Sequence, residues 1–182
     1  MKAKPTNHPG EVVLELDRRD EPLMAAASTA KSPFKLKRIL VPIDFSDCSK
    51  KALQYAIPLA KEHKAAIALL YVVQTLCPTG DFVAADSAAL QAEMCATGHT
   101  NLAKLAVDEV RGEVAADKVV RTGSAAMEII TMAKSLPADL IVISTHGRTG
   151  LKHVIMGSVA ENVIRRAPCP VLVVREREHE FV

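Results

Sequence analysis

From Phe34 onward, short unbroken runs of aliphatic and β-branched residues alternate with longer stretches in which apolar residues recur every three or four positions. The short runs predict strands at Arg38 to Ile43, Ala66 to Val73, Val119 to Arg121, Leu140 to Ser144 and Val171 to Val174. They lack in/out alternation, so they are expected to be buried on both faces, as in a parallel sheet. The longer stretches predict four helices. The first runs from about Ser49 to His63 behind Ser46 or Asp47 as cap, with Pro58 expected to kink or break it. The second covers Ser87 to Gly112, the third Ala125 to Ser135 before Pro137, and the fourth Ser158 to Ala167 before Pro168 and Pro170. This βαβ rhythm implies an α/β fold with helices on both faces of an open parallel sheet.

The first 33 residues break the rhythm. Alternation over Val12 to Leu16 is compatible with a strand, but the surrounding Pro, Gly, Ala and Ser read as a mobile extension. The expected division is therefore 1–33 as extension, 34–175 as the folded domain and 176–182 as a charged tail.

Composition narrows the class of function. The chain has 182 residues, 49% hydrophobic and 24% charged, with a net charge of only +2. Both signs are mixed along it, and aromatics make up 3% with no Trp, so neither a phosphate-backbone footprint nor a base-stacking surface is present and no nucleic-acid partner is expected. No apolar run approaches the roughly 20 residues of a membrane span, and no hydrophobic segment follows the basic start, so a cytoplasmic location is expected. Cys48, Cys77, Cys95 and Cys169 are dispersed without a Cys-x-x-Cys pair, and no metal site is expected.

Two segments carry candidate chemistry. In Ile39-Leu-Val-Pro-Ile-Asp-Phe-Ser-Asp47 a buried strand ends at Pro42 and Asp44. An acidic residue just beyond such a strand can meet a sugar hydroxyl or ring amine at a topological switch point, or it can serve as a helix-start or turn carboxylate. The second segment is Asp139-Leu-Ile-Val-Ile-Ser-Thr-His-Gly-Arg-Thr-Gly150 followed by Met156-Gly-Ser-Val-Ala160. Gly147, Gly150 and Gly157 allow close backbone approach, Gly157-Ser158 opens a helix whose N–H groups suit an anion, and Arg148 can add charge. A ligand-free strand-to-helix loop with an ordinary cap is the plainer alternative. His146 can shuttle protons in principle, but no nucleophile or acid partner accompanies it, and no catalytic residue is assigned. Cys48 near a helix start invites a redox role with no further support.

Val41-Pro-Ile-Asp-Phe-Ser46, Ser144-Thr-His-Gly-Arg-Thr-Gly150, Gly157-Ser-Val-Ala-Glu-Asn162 and Ala167-Pro-Cys-Pro-Val-Leu-Val-Val174 together resemble the universal stress protein family over residues 34–175. The resemblance implies a five-stranded parallel sheet of order 3-2-1-4-5, of the adenine nucleotide alpha hydrolase-like type, and a homodimer. Many members bind ATP, with or without magnesium, and hydrolyse it slowly at most; others bind no nucleotide and act as protein-interaction modules. Their nucleotide signature is Gly-x-x-Gly, nine residues, then Gly-Ser or Gly-Thr. Here Arg148 to Met156 are the nine, Gly147 is the second glycine, and Ser144 stands where the first would be. By resemblance, Pro42, Asp44 and Val72 would hold the adenosine end. Ser144, Gly147, Arg148 and Gly150 would line the ribose and phosphates, and Gly157, Ser158 and Val159 would cradle the phosphates. The last strand, Val171 to Val174, would be an apolar edge that pairs with its copy, with Arg175-Glu-Arg-Glu178 beyond it. The implied role is a dimeric, ATP-binding stress-response sensor or adaptor, with an unnamed protein partner as the remaining option.

Overall fold

The computed structural model describes residues 2–5, 12–15, 35–74, 84–147 and 156–175. The chain divides into two compact units, residues 1–35 and 36–182. In the first, strands β1 (Lys2–Pro5) and β2 (Val12–Glu15) pair antiparallel, with Lys2 opposite Glu15 and Pro5 opposite Val12. The Val12 alternation thus does form a strand.

The second unit runs β3 (Arg38–Pro42), α1 (Asp47–His63), β4 (Ala66–Val73), α2 (Ala84–Leu105), β5 (Ala116–Thr122), α3 (Ala125–Ser135), β6 (Leu140–Ser144), α4 (Ser158–Arg166) and β7 (Val171–Val174). All five strands are parallel in the order β5-β4-β3-β6-β7, which is 3-2-1-4-5 counted from β3. The continuous apolar runs are explained by two cores that take alternate residues of each central strand. Ile39, Val41, Ile67, Leu69, Leu140 and Val142 face Ala52, Leu53, Ala56 and Ala60 of α1 and Leu102 and Leu105 of α2. Leu40, Ala68, Leu70, Ile141 and Ile143 face Ile129, Met132 and Ala133 of α3 and Ala160 and Val163 of α4. Order reverses between β3 and β6, so their carboxyl ends open a crevice.

The elements differ from expectation in three places. The first helix passes Pro58 without interruption; Pro58 and Gln54, whose carbonyl loses its donor, are both exposed, and water satisfies such a group cheaply. The second helix closes in a wide π-turn over Ala106–Val110, capped by Arg111 in the left-handed conformation (φ 52°) with its N–H on the Ala106 carbonyl. The third strand of the sheet is longer than Val119 to Arg121 because, as an edge, it carries Asp117, Lys118 and Arg121 in its exposed positions.

At the amino ends of the central strands, one Asp139 carboxylate oxygen accepts the backbone N–H groups of Lys37 (2.7 Å) and Arg38 (2.9 Å). Asp139 N–H returns a bond to the Arg38 carbonyl at 2.9 Å, and the Arg38 guanidinium donates to the Leu136 carbonyl at 3.1 Å. This cluster fixes β3 against β6 before the crevice is reached. Asp139→Ala is expected to lower stability by about 2 kcal/mol, since it strips two donors of a charged acceptor at a partly exposed site. A fall in the urea midpoint at unchanged slope checks this. Burial first, and then the Asp139 charge, push the Cys169 thiol up, so it stays protonated at neutral pH.

Candidate functional site

The crevice begins with a turn. β3 delivers Asp44 to the carboxyl end of the sheet, and the chain must then reverse into α1 within a few residues. Phe45 takes the left-handed conformation (φ 65°) to do so. That strain costs on the order of 1–2 kcal/mol, and the Phe45 ring packs on Tyr71 at 4.8 Å between centroids. The Asp44 carboxylate spans the turn: Oδ1 accepts from Ser46 N–H at 3.0 Å and Ser46 Oγ at 2.5 Å. The Ser46 hydroxyl in turn accepts Ser49 N–H at 3.2 Å, capping α1. The turn-carboxylate reading of Asp44 therefore holds through Oδ1, while Oδ2 lies against the loop that follows β6.

That loop abuts it closely. A Cβ on Gly147 would lie 2.6 Å from Asp44 Oδ2, closer than side-chain carbons come to any atom, so only glycine leaves the carboxylate in place. The Ser144 hydroxyl is turned onto the loop's own backbone, donating to the His146 carbonyl at 2.9 Å. Thr145 is 3% exposed and ties three elements. Its N–H donates to the Val174 carbonyl (2.9 Å), its carbonyl accepts Gly157 N–H (2.7 Å), and its hydroxyl meets His146 Nδ1 at 2.9 Å. Gly157 caps α4 with extended backbone and no side chain, and a Cβ there would press to 3.1 Å from the Thr145 carbonyl oxygen. The first N–H groups of α4 thus have no side-chain cap and present the positive end of the helix dipole.

Together these surfaces enclose a cleft of about 460 Å³, within the range of sites for small ligands. Pro42, Asp44, Val72, Ser144, Gly147, Gly157, Ser158 and Val159 all line it. Arg148 and Gly150 lie outside the described residues. Leu70, Ile129, Ile143 and Val159 give the cleft an apolar wall, and the glycines with the α4 start give it a polar one. Thr145, Tyr71, Gln74 and Met94 also line it and are absent from the sequence-based set. Tyr71 was within reach of sequence reasoning as the neighbour of Val72 on the same strand end. Met94 was not, since only the packing of α2 brings it there.

The model of the family described as "Universal stress protein family" matches residues 35–175. The chain belongs to the universal stress protein family. Universal stress protein MJ0531 of Methanocaldococcus jannaschii is 39% identical over 145 residues, 79% of this chain and 85% of that protein. The solved universal stress protein UspA from Lactobacillus plantarum superposes with a TM-score of 0.71 at 26% identity, covering 78% of this chain and 99% of that one. A universal stress protein solved in complex with cAMP shares the fold at 24% identity and a TM-score of 0.57, over 76% of this chain and 97% of its own. Membership agrees with the sheet order described above, and it accounts for the recurrence of the four motifs in sequence. Among the described residues, no helix is long and apolar enough to cross a membrane.

Proposed function

We propose that this protein binds an adenine nucleotide, ATP with magnesium carried on its phosphates, and works in the cytoplasm as a dimeric stress-response sensor or adaptor that turns over ATP slowly at most. The observation that carries the reading is the contact of bare Gly147 backbone with Asp44 Oδ2, opposite a helix start capped by glycine. It sets a carboxylate that ribose hydroxyls can meet at one end of the cleft, and a helix start with no side-chain cap, suited to phosphates, at the other. The main chain at Pro42 and Val72 and the apolar wall suit the base. When bound, the magnesium would neutralise phosphate charge; the chain's own share is to orient the nucleotide and hold its anionic end on backbone dipoles. The dimer would form through the edge strand β7, Val171 to Val174.

Calorimetry of the purified chain with ATP and magnesium tests the reading. Saturable binding is expected; no heat, together with no co-purifying nucleotide by mass spectrometry, overturns it. Ser144→Gly discriminates the interaction-module alternative. Because the Ser144 hydroxyl is turned to His146, affinity in the variant is expected to stay within about threefold of the parent, under 1 kcal/mol. Binding gained only in the variant would favour a chain that engages protein partners without nucleotide.

A further inference from the structure

Gly98 lies well inside the 22-residue helix α2. Glycine is ordinarily a poor choice there, because it gives up more conformational freedom than alanine and packs no side chain. Its surroundings account for it. Gly98 is buried, and a Cβ on it would lie 2.6 Å from Cδ1 and 2.9 Å from Cε1 of Tyr71, and 3.5 Å from Val120 Cγ2. The bare backbone of α2 therefore rests directly on the Tyr71 ring.

Two neighbours confine that ring. Val120 is the β5 residue paired with Tyr71. On the β3 side stands Phe45, packed on the ring with 4.8 Å between centroids and 48° between planes. The open direction is outward, into a hollow of about 390 Å³ lined by Phe45, Tyr71 and α2, and a ring that takes it leaves Phe45. Phe45 is the residue held left-handed at φ 65°, between Asp44 and Ser46, whose bonds to each other shape the turn. Side chains disfavour that conformation, so the contact on the Phe45 ring helps to keep the turn in place. Packing thus runs without a gap from α2 backbone through two aromatic rings to the turn that carries the cleft carboxylate. Among the described residues of α2, Met94 lines the cleft itself, and Gly98 stands one turn further along the same face.

We infer that Gly98 is a positioning residue for the cleft: by admitting helix backbone to the Tyr71 ring it seats Phe45 and fixes where the turn presents Asp44. This rests on the nucleotide reading above. Gly98→Ala favours the helix yet pushes the ring off its seat, so ligand affinity falls while helix content does not.

The test is ATP affinity by calorimetry, with magnesium, in the parent, in Gly98→Ala, and in Gly98→Ala combined with Tyr71→Phe or Tyr71→Ala. Gly98→Ala is expected to weaken binding about tenfold while keeping the far-ultraviolet circular dichroism of the parent. Against Tyr71→Phe alone, which keeps the ring, it should again cost about tenfold. Against Tyr71→Ala alone, which removes what the added methyl meets, it should cost less than about twofold. The chain has two tyrosines and no tryptophan, so the difference in emission between the parent and Tyr71→Phe is that of Tyr71. Gly98→Ala is expected to change this emission before any nucleotide is added. Unchanged affinity in Gly98→Ala, an equal loss in the Tyr71→Ala background, or Tyr71 emission that does not respond overturns the inference and leaves nucleotide binding standing. So does a loss of affinity matched by a loss of helical signal, which would make the role a purely structural one. Absence of ATP binding to the parent overturns both.

Discussion

Gly147→Val is expected to weaken ATP binding at least about a hundredfold, close to 2.7 kcal/mol, while the circular dichroism spectrum of the parent is retained. The stability read from the urea midpoint is expected to fall by the share that loss of the Asp44–Ser46 bonds and the α1 cap accounts for, about 1 kcal/mol. The first atom of any side chain at this position falls 2.6 Å from Asp44 Oδ2. An oxygen at the end of a side chain can ordinarily swing aside. Here the other oxygen is held by Ser46 N–H and Ser46 Oγ, so the carboxylate moves only by breaking bonds that also set the Ser46 cap of α1. Gly147→Ala asks for a smaller displacement and is expected to cost about tenfold. Valine adds two further carbons, pushing either the carboxylate out of the cleft or the loop off β3. Because the damage runs through Asp44, the loss should be non-additive. In an Asp44→Ala background, Gly147→Val should cost little more than Asp44→Ala alone. Additive losses would show that the two residues act on a ligand separately, and an unimpaired Gly147→Val would remove Asp44 and Gly147 from the binding site.

The sequence made the scaffold legible because the strands of a doubly covered sheet have a distinctive composition. Leu140 to Ser144 and Ala66 to Val73 could be delimited to the residue, since every position on them must be apolar or small to enter one of two cores. What stayed illegible depends on backbone geometry or on contacts remote in sequence. Nothing in Asp44-Phe45-Ser46 announces a left-handed phenylalanine; the turn imposes it, and the Tyr71 ring from another strand supports it. The π-turn after α2 leaves the apolar periodicity of that helix nearly unchanged, so the pattern runs on toward Gly112 without marking it. Ser144 is the instructive case. In a linear motif it is a missing glycine, but in space its hydroxyl bonds the His146 carbonyl two residues on. Thr145, which the motif spacing treats as filler, has polar groups that reach β7, α4 and the cleft.

Val173→Pro is expected to convert a dimer into a monomer in sedimentation analysis while leaving the sheet intact. In the ladder between β6 and β7, the Pro170 carbonyl accepts Ile141 N–H and the Val174 carbonyl accepts Thr145 N–H. In a parallel pair, bonding to one neighbour falls on every second residue, so positions 170, 172 and 174 serve β6 while the backbone of Val171 and Val173 turns outward. Antiparallel pairing of two copies about an axis at Leu172 would set Val171 of each opposite Val173 of the other, exchanging both N–H groups. Proline at 173 removes one donor per chain from that exchange and none from the bonds to β6, and proline is tolerated at such an edge position. Val173→Thr keeps the donor and should remain dimeric. A dimeric Val173→Pro, or a monomeric parent, would exclude this edge as the interface. The same variant bears on the cleft, because the Val174 carbonyl holds Thr145, and Thr145 holds the start of α4. If the edge and the cleft are coupled through this one residue, the monomeric variant should bind ATP more weakly than the parent, with the two effects falling together as protein concentration is lowered in the parent.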